Sequence, residues 1–396
     1  MASIPRSRPA APAVKLSLSD PLVRSIVYQV LVVGGVALLV WYLVSNTMAN
    51  MEARKIASGF GFLNREAGFA IGEHFIDYSP ADTYFRALVV GVLNTLVVAI
   101  LGIVLATILG TLIGIGRLAK NWLIAKICSV YVEVMRNLPL AVQLFFWYAI
   151  IVDIMPEKRQ AFNLAPGVYL SKDGLQLPKL MSDPSHAYIA VALLIGVVGS
   201  IVVARWAKRR QEASGQQFPV LRAALGLILG LPLLVFLGAG APLEVEWPVL
   251  GRFNFAGGIN ITPEFTALLL GLVIYTAAFI AEIVRSGILA VSHGQTEAAG
   301  ALGLKRGLTL RLVILPQALR VIIPPMISQY LNITKNSSLA VLIGYPDIVS
   351  IANTALNQTG QAIEGIAIIM MVYLTVSLSI AGFGNWYNKR MALVER

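Results

Sequence analysis

The sequence predicts an all-α integral membrane protein with about eight transmembrane helices. Hydrophobic residues fill 57% of the 396 positions and charged residues only 13%, about half the charged share of a soluble domain. A chain so poor in charge could not cover a water-facing surface of its own. The apolar residues are also segmented. A bilayer core about 30 Å thick takes about 20 apolar residues per helix, and eight segments supply them: 25–45, 87–116, 137–155, 187–205, 219–238, 263–284, 317–335 and 363–386.

The elements follow in chain order. Met1 to Asp20 is rich in Pro, Ser and Arg and reads as disordered, so residues 1–24 are expected to be a cytoplasmic tail. The apolar run of 25–45 is too long for a cleaved signal peptide. Residues 25–86 therefore read as an uncleaved anchor followed by an outer segment. The segment 46–85 carries Glu66, Glu73 and Asp77, and a second outer segment, 156–186, carries Pro156, Pro166, Pro178 and Pro184; both read as small caps or docking surfaces. The span 87–116 is about 45 Å long as a helix and must tilt or project. Gly110 with Gly114, and Gly226 with Gly230, have the spacing that lets helix backbones approach in lipid. Pro316, Pro324 and Pro325 are expected to bend span 317–335. Residues 387–396 form a second cytoplasmic tail.

Charge sets the orientation. With the N-terminus in the cytoplasm, Lys plus Arg divide 21 inside to 10 outside, and Asp plus Glu 6 to 14. The inner side then carries +15 and the outer side −4 of the net +11. Lys and Arg collect on the cytoplasmic side of membrane proteins, so both termini are expected inside and the positive charge calls for no nucleic acid. The basic inner stretch Ala207 to Gln217 reads as a solvated loop. Cys128 is the single cysteine and His74, His186 and His293 are widely scattered, so no metal site is expected. No phosphate loop, Gly-x-Ser-x-Gly or His-Glu-x-x-His occurs, and no catalytic residue is assigned. The chain is expected to bind no cofactor itself.

The inner loop 294–316 is the most informative stretch. Thr296 is a plausible N-cap with Glu297 in the first turn, Ala298, Ala299, Ala301 and Leu302 favour helix, and Gly303 suits a left-handed stop. A helix of about two turns with a face of small residues should result, able to seat in a partner's groove or to serve as a plain connector. Lys335 stands beside Asn332, Asn336, Ser337 and Ser338 in or near hydrocarbon, where a charge needs a partner or a watery cavity. Asn94, Thr95 and Gln143 are further polar groups at membrane depth. All could contact a substrate or bond across helices. Glu133 with Arg136, and Glu282 with Arg285, stand three apart on one helix face and read as gating or bracing pairs.

At these residues the sequence resembles a known family. Glu297-Ala298-Ala299, Gly303, Val313 and Leu315-Pro316 match the EAA loop of ABC importer permeases, with Val313 where Ile is usual. Ala281-Glu282-Ile283-Val284-Arg285, Gly294-Gln295, Leu315-Pro316-Gln317-Ala318-Leu319-Arg320, Pro324-Pro325, and Arg136-Asn137-Leu138-Pro139-Leu140 with Gln143 are similar to polar amino acid permeases of the histidine/glutamine type. Lys335-Asn336-Ser337-Ser338-Leu339 is similar too, with Asn336 where the family has Asp. The enlarged layout is similar to a permease subunit of the general L-amino acid importers. The resemblance implies a five-helix type I core with three added helices, the transmembrane domain running over 87–386 with helices inserted at about 187–238. It gives Glu297, Ala298, Ala299 and Gly303 the role of coupling to an ATPase. It implies a bacterial inner-membrane protein that carries an L-amino acid. The implied partners are a cytoplasmic ABC ATPase dimer holding ATP and Mg, a second permease subunit, a paralogue by the enlarged layout, and a periplasmic amino-acid-binding protein. An ion-gradient-driven secondary transporter is the alternative; it predicts inverted repeats and deep acidic residues, which the sequence does not display. A membrane enzyme would need a His/Asp or metal constellation.

Overall fold

The computed structural model of the chain describes residues 21–53, 58–181, 183–251 and 254–391. The tail expected at the N-terminus lies almost wholly outside the described residues, and so do residues 392–396. Among the described residues seven helices are long and apolar enough to cross a membrane, or eight if one bent pair counts as a span. With the bent pair counted, all eight expected segments fall within them, to within one residue at the ends.

Helix α1 (Pro21–Ala53) is apolar all round and 0% buried. Residues 58–83 fold back as a cap, with Phe62, Ala67 and Ile71 buried against the start of α2 (Tyr84–Gly116). Thr83 caps α2 by accepting the Arg86 N–H. Then come α3 (Trp122–Asn137) and α4 (Leu140–Ala149), the latter extended by a π turn over Ile150–Ile154. A short strand region follows: β1 (Phe162–Ala165), β2 (Val168–Ser171), β3 (Gly174–Leu177) and β4 (Lys179–Leu180). Next is a helical hairpin. Its first arm is α5 (Ser185–Ser214). Its second is α6 (Val220–Leu225), a π turn over Gly226–Gly230, and α7 (Leu231–Gly238). Strands β5 (Val245–Glu246), β6 (Val249–Leu250), β7 (Phe255–Ala256) and β8 (Ile259–Ile261) lead into α8 (Pro263–Leu289). The chain ends with α9 (His293–Ala301), α10 (Arg306–Thr309), a π turn over Leu310–Ile314, α11 (Leu315–Asn336), a 3₁₀ stretch Ser337–Ile343, α12 (Ile348–Thr359) and α13 (Ala362–Met391).

Helices α2 and α8 run parallel and form the centre. A Cβ added to Gly110 would stand 2.7 Å from Cβ of Ile280 and 2.8 Å from the Ala277 carbonyl oxygen, and one on Gly114 would stand 2.7 Å from the Ala281 oxygen. The small-residue reading of Gly110 and Gly114 therefore holds. Helix α11 runs antiparallel to them, its Ile322 against Gly287 and its Ile333 against Gly102, and α13 packs on α11 through Gly384 and Ile327. The bundle has two ends. The cap, the start of α8 and α12 lie at one, and the ends of α2 and α8 lie with α9 at the other.

Two expectations are corrected, on Gly226 with Gly230 and on the loop over 117–136. Gly226 and Gly230 have no atom within 4 Å of a modest side chain; the hairpin closes instead on Gly196, against the Leu227 carbonyl, in a buried stripe Ala192, Gly196, Ser200. The loop expected over 117–136 contains α3, an amphipathic helix joined to α4 at 106° across Leu138-Pro139. Pro139 forces Leu138 into extended backbone (φ −94°, ψ 128°) and so breaks the span there. Helix α11 continues through Pro324 and Pro325, as membrane helices can where neighbours take up the freed backbone groups. Strands also occur, though only outside the spans: Leu175 pairs with Ile261 and Lys179 with Glu246, clasping the two feet of the hairpin across about 80 residues of chain.

Candidate functional site

Helix α9 starts earlier than expected. Ser292 precedes it, so Thr296 lies inside the helix, and Glu297 stands in its second turn, where Oε1 lies 3.0 Å from Nδ1 of His293. Its end is as expected. Gly303 has φ +72°, its N–H donates to the Gly300 carbonyl (2.9 Å), and the Leu304 N–H donates to the Ala299 carbonyl (3.1 Å). That pair of bonds is a Schellman stop. Ala299 is buried while Glu297 and Ala298 are exposed, so only part of the small face is presented outward. Leu302, 81% exposed, projects from the end of the helix. Lys305, Arg306 and Arg311 follow, all exposed. From the sequence Leu302 reads as a plain helix former beside a stop glycine; its exposure is what singles it out.

The six polar residues expected along a pathway do not come together. Asn94 is wholly buried; its Nδ2 donates to the Glu73 carbonyl (2.8 Å) and the Pro346 carbonyl (2.9 Å). Thr95 accepts the Ile348 N–H and donates to the Gly91 carbonyl. These two tie the cap and α12 to α2. Gln143 is buried at the α3–α4 break, donating to the carbonyls of Met135 and Leu138, which the break leaves without helical partners. Asn332 and Lys335 are exposed and Asn336 half-buried. With Ser328, also exposed, Asn332 and Lys335 form a polar stripe on α11 at i, i+4, i+7.

The expected charge pairs are half found. Glu282 binds Arg285 (3.1 Å) and also Arg117 at the end of α2. Arg117 is a partner 165 positions away that local spacing could not supply. Glu133 and Arg136 make no salt bridge; the Arg136 guanidinium lies 5.1 Å above the Phe279 ring. Arg136, Phe279, Glu282, Ser286, Ser328 and Gln329 border a cavity of about 290 Å³ on this face. Here expected bracing residues meet the polar side of α11.

The cap end carries a second polar group that the sequence reading did not single out. Glu73 accepts a hydrogen bond from the Thr262 hydroxyl and lies beside Glu264, itself bonded to the Tyr148 hydroxyl at 3.1 Å. Burial, with the Glu264 charge adding, pushes Glu73 up to about 7. Asp347, the N-cap of α12, is likewise raised to about 7 by burial. Among the described residues no group of three or more His, Cys, Asp or Glu is placed to hold a metal ion.

Comparison with known proteins agrees with this architecture. Residues 218–393 match the family "Binding-protein-dependent transport system inner membrane component". The general L-amino acid transport system permease protein AapQ of Rhizobium johnstonii is 52% identical over 96% of this chain and 95% of its own length. The putative amino-acid ABC transporter permease protein YhdX of Escherichia coli is 50% identical over 96% and 97%. The glutamate/glutamine/aspartate/asparagine transport system permease protein BztB of Rhodobacter capsulatus is 42% identical over 95% and 96%. With half its residues shared along nearly the full length of such relatives, and with the family's membrane-helix architecture, the chain belongs to the amino-acid ABC transporter permeases, the binding-protein-dependent inner membrane components.

Proposed function

We propose that this chain is the membrane-spanning permease subunit of an ATP-driven importer of L-amino acids. The observation that carries the reading is α9: a short, stopped helix offering Glu297, Ala298 and the projecting Leu302 away from the bundle, on the side with the excess of Lys and Arg. A cytoplasmic ABC ATPase dimer, holding ATP and Mg, docks there. Gly303 keeps the helix end compact enough to enter a groove. Both termini and α9 then lie in the cytoplasm, and the cap with its strands faces the periplasm, where an amino-acid-binding protein delivers substrate.

The pathway runs between this subunit and a second permease, a paralogue. The polar stripe Ser328, Asn332 and Lys335 supports this, since such groups cannot face lipid. Arg136 and the Arg117–Glu282–Arg285 cluster brace the cytoplasmic half, where α3, α8 and α11 meet. Asn94, Thr95 and Gln143 act as internal ties of the frame. When the ATPase subunits close and separate, α9 transmits the motion to α8, which precedes it, and through α10 and the π turn to α11.

The test is uptake of labelled amino acid by vesicles containing the whole importer. Ala298→Trp, at an exposed position, is expected to lower ATP-driven uptake at least tenfold and to lose the co-purifying ATPase, with the permease still in the membrane. Retention of both activities in that variant overturns the coupling role. Uptake that persists without ATP but collapses with the ion gradient points to a secondary transporter.

A further inference from the structure

We propose that Arg320 and the apolar cleft beside it bind an anionic phospholipid of the leaflet at the α9 end. One acyl chain lies in the cleft and the phosphate meets the guanidinium.

The cleft holds about 430 Å³ between α2, α8, α11 and α13. Its walls include Ile115 of α2, Ile288 of α8, Leu319 and Ile323 of α11, and Phe383 and Tyr387 of α13. The hydroxyls at its inner limit are spent within the protein. Thr107 lies 3.1 Å from the Tyr330 hydroxyl and 2.6 Å from the Ile103 carbonyl. A cavity with such largely apolar walls offers little to water and suits a hydrocarbon. Along α11 the lining runs from Leu315 to Tyr330, about 22 Å of helix. One leaflet of the hydrocarbon core is about 15 Å deep. The cleft therefore reaches from the bilayer surface to its middle, the course of a lipid chain.

The second observation is electrostatic and independent of the cleft. Arg320 sits one turn before Ile323 and two before Ile327, on the edge of α11 that packs against α13. Its Nε–H is buried, and among the described residues it has no acceptor. Two carboxylates of this bundle end are engaged elsewhere: Glu282 is held by Arg117 and Arg285, and Glu297 lies against His293. A guanidinium stays charged at any relevant pH, and a charge at hydrocarbon depth demands a counter-ion. Arg320 lies about 7.5 Å along the helix from Leu315, so its side chain reaches the headgroup level by extending along the helix. Its planar fork matches two phosphate oxygens. The two observations meet in one molecule: an apolar tail beside an unmatched cation is answered by a lipid with a negative head.

The experiment is native mass spectrometry of the complete importer, permease pair and ATPase together, released in mild detergent after exchange into vesicles of phosphatidylglycerol or phosphatidylcholine. The expected result is one phosphatidylglycerol retained per copy of this chain, at least fivefold over phosphatidylcholine. Arg320→Gln should lower that retention at least fivefold and Arg320→Lys partly, with the ATPase still bound. Leu319→Trp, which fills the cleft and leaves Arg320 in place, should lower it as well. Equal retention of both lipids, or Arg320→Gln retention within twofold of the unaltered importer, overturns the proposal. So does a cross-link from position 320 to a carboxylate of the second permease in an importer holding no lipid.

Discussion

The α2–α8 pair and the α5–α7 hairpin carry the same sequence signal and behave differently. Each has glycines four apart in an apolar helix. In α2 they lie against the backbone of α8, whose most apolar window is 61% buried; in the hairpin Gly226 and Gly230 touch nothing, and the window of that arm is 0% buried. A lone hairpin in lipid gains little from closing more of its surface, because lipid tails are as apolar as its own side chains. It therefore closes on one small stripe, Ala192, Gly196 and Ser200, and is fastened to the core by the strand clasp at its feet. Spacing marks a helix as able to pack closely; what stands opposite decides whether it does.

The comparison breaks most directly at its glycines. Gly110→Leu drives a side chain into the Ala277 backbone and should destabilise the core by about 3 kcal/mol, with loss of the folded importer in a thermal-shift measurement. Gly226→Leu should stay within about 0.5 kcal/mol and keep uptake. Equal damage from both would show that the hairpin is packed as tightly as the core. Next in size is the bracing of the core's α9 end. Glu282→Gln removes the charge shared by Arg117 and Arg285, and a loss of about 2 kcal/mol is expected in the same assay.

The cap offers a pH-dependent version of the contrast. Below about 4.5 the Glu73 carboxyl is neutral whether the cap is seated or not, between 4.5 and about 7 only the seated form holds the proton, and above 7 burial of the ion opposes seating in full. Asp347 acts in the same direction. Seating should thus weaken by about 2 kcal/mol from pH 5 to 8, read as faster proteolysis of residues 58–83. Glu73→Gln should remove about half of that slope, Asp347 supplying a comparable share, while cleavage in the α5–α7 hairpin should not respond to pH. The smallest effect belongs to Gly303→Ala, which forces a side chain into φ +72° and costs about 1 kcal/mol. Its signature is uptake lost with thermal stability nearly unchanged.

Much of this was legible before the fold. The eight spans and the stop at Gly303 follow from apolar run length and from a backbone conformation that glycine alone adopts freely, both local properties. The partners of polar side chains were not legible. Asn94 and Thr95 look like pathway residues in a lone helix, and only the return of Pro346 and Ile348 shows them as ties. Glu282 has a local partner in Arg285, yet it also meets Arg117, 165 residues earlier. The strand clasp was invisible for the same reason, since short pairings across a long insertion leave no period in the sequence.

The sequence by itself determined that the chain lies in a membrane, about how many apolar helices it has, and where a short helix stops. Those features depend on hydrocarbon thickness and on backbone sterics, which act on a few neighbouring residues at a time. Only the tertiary structure decided which glycines touch, which polar groups serve as ties, and that Arg320 is left unmatched beside an apolar cleft. In a chain with 13% charge each buried polar group must find one particular partner, and that choice is made by the packing of distant segments.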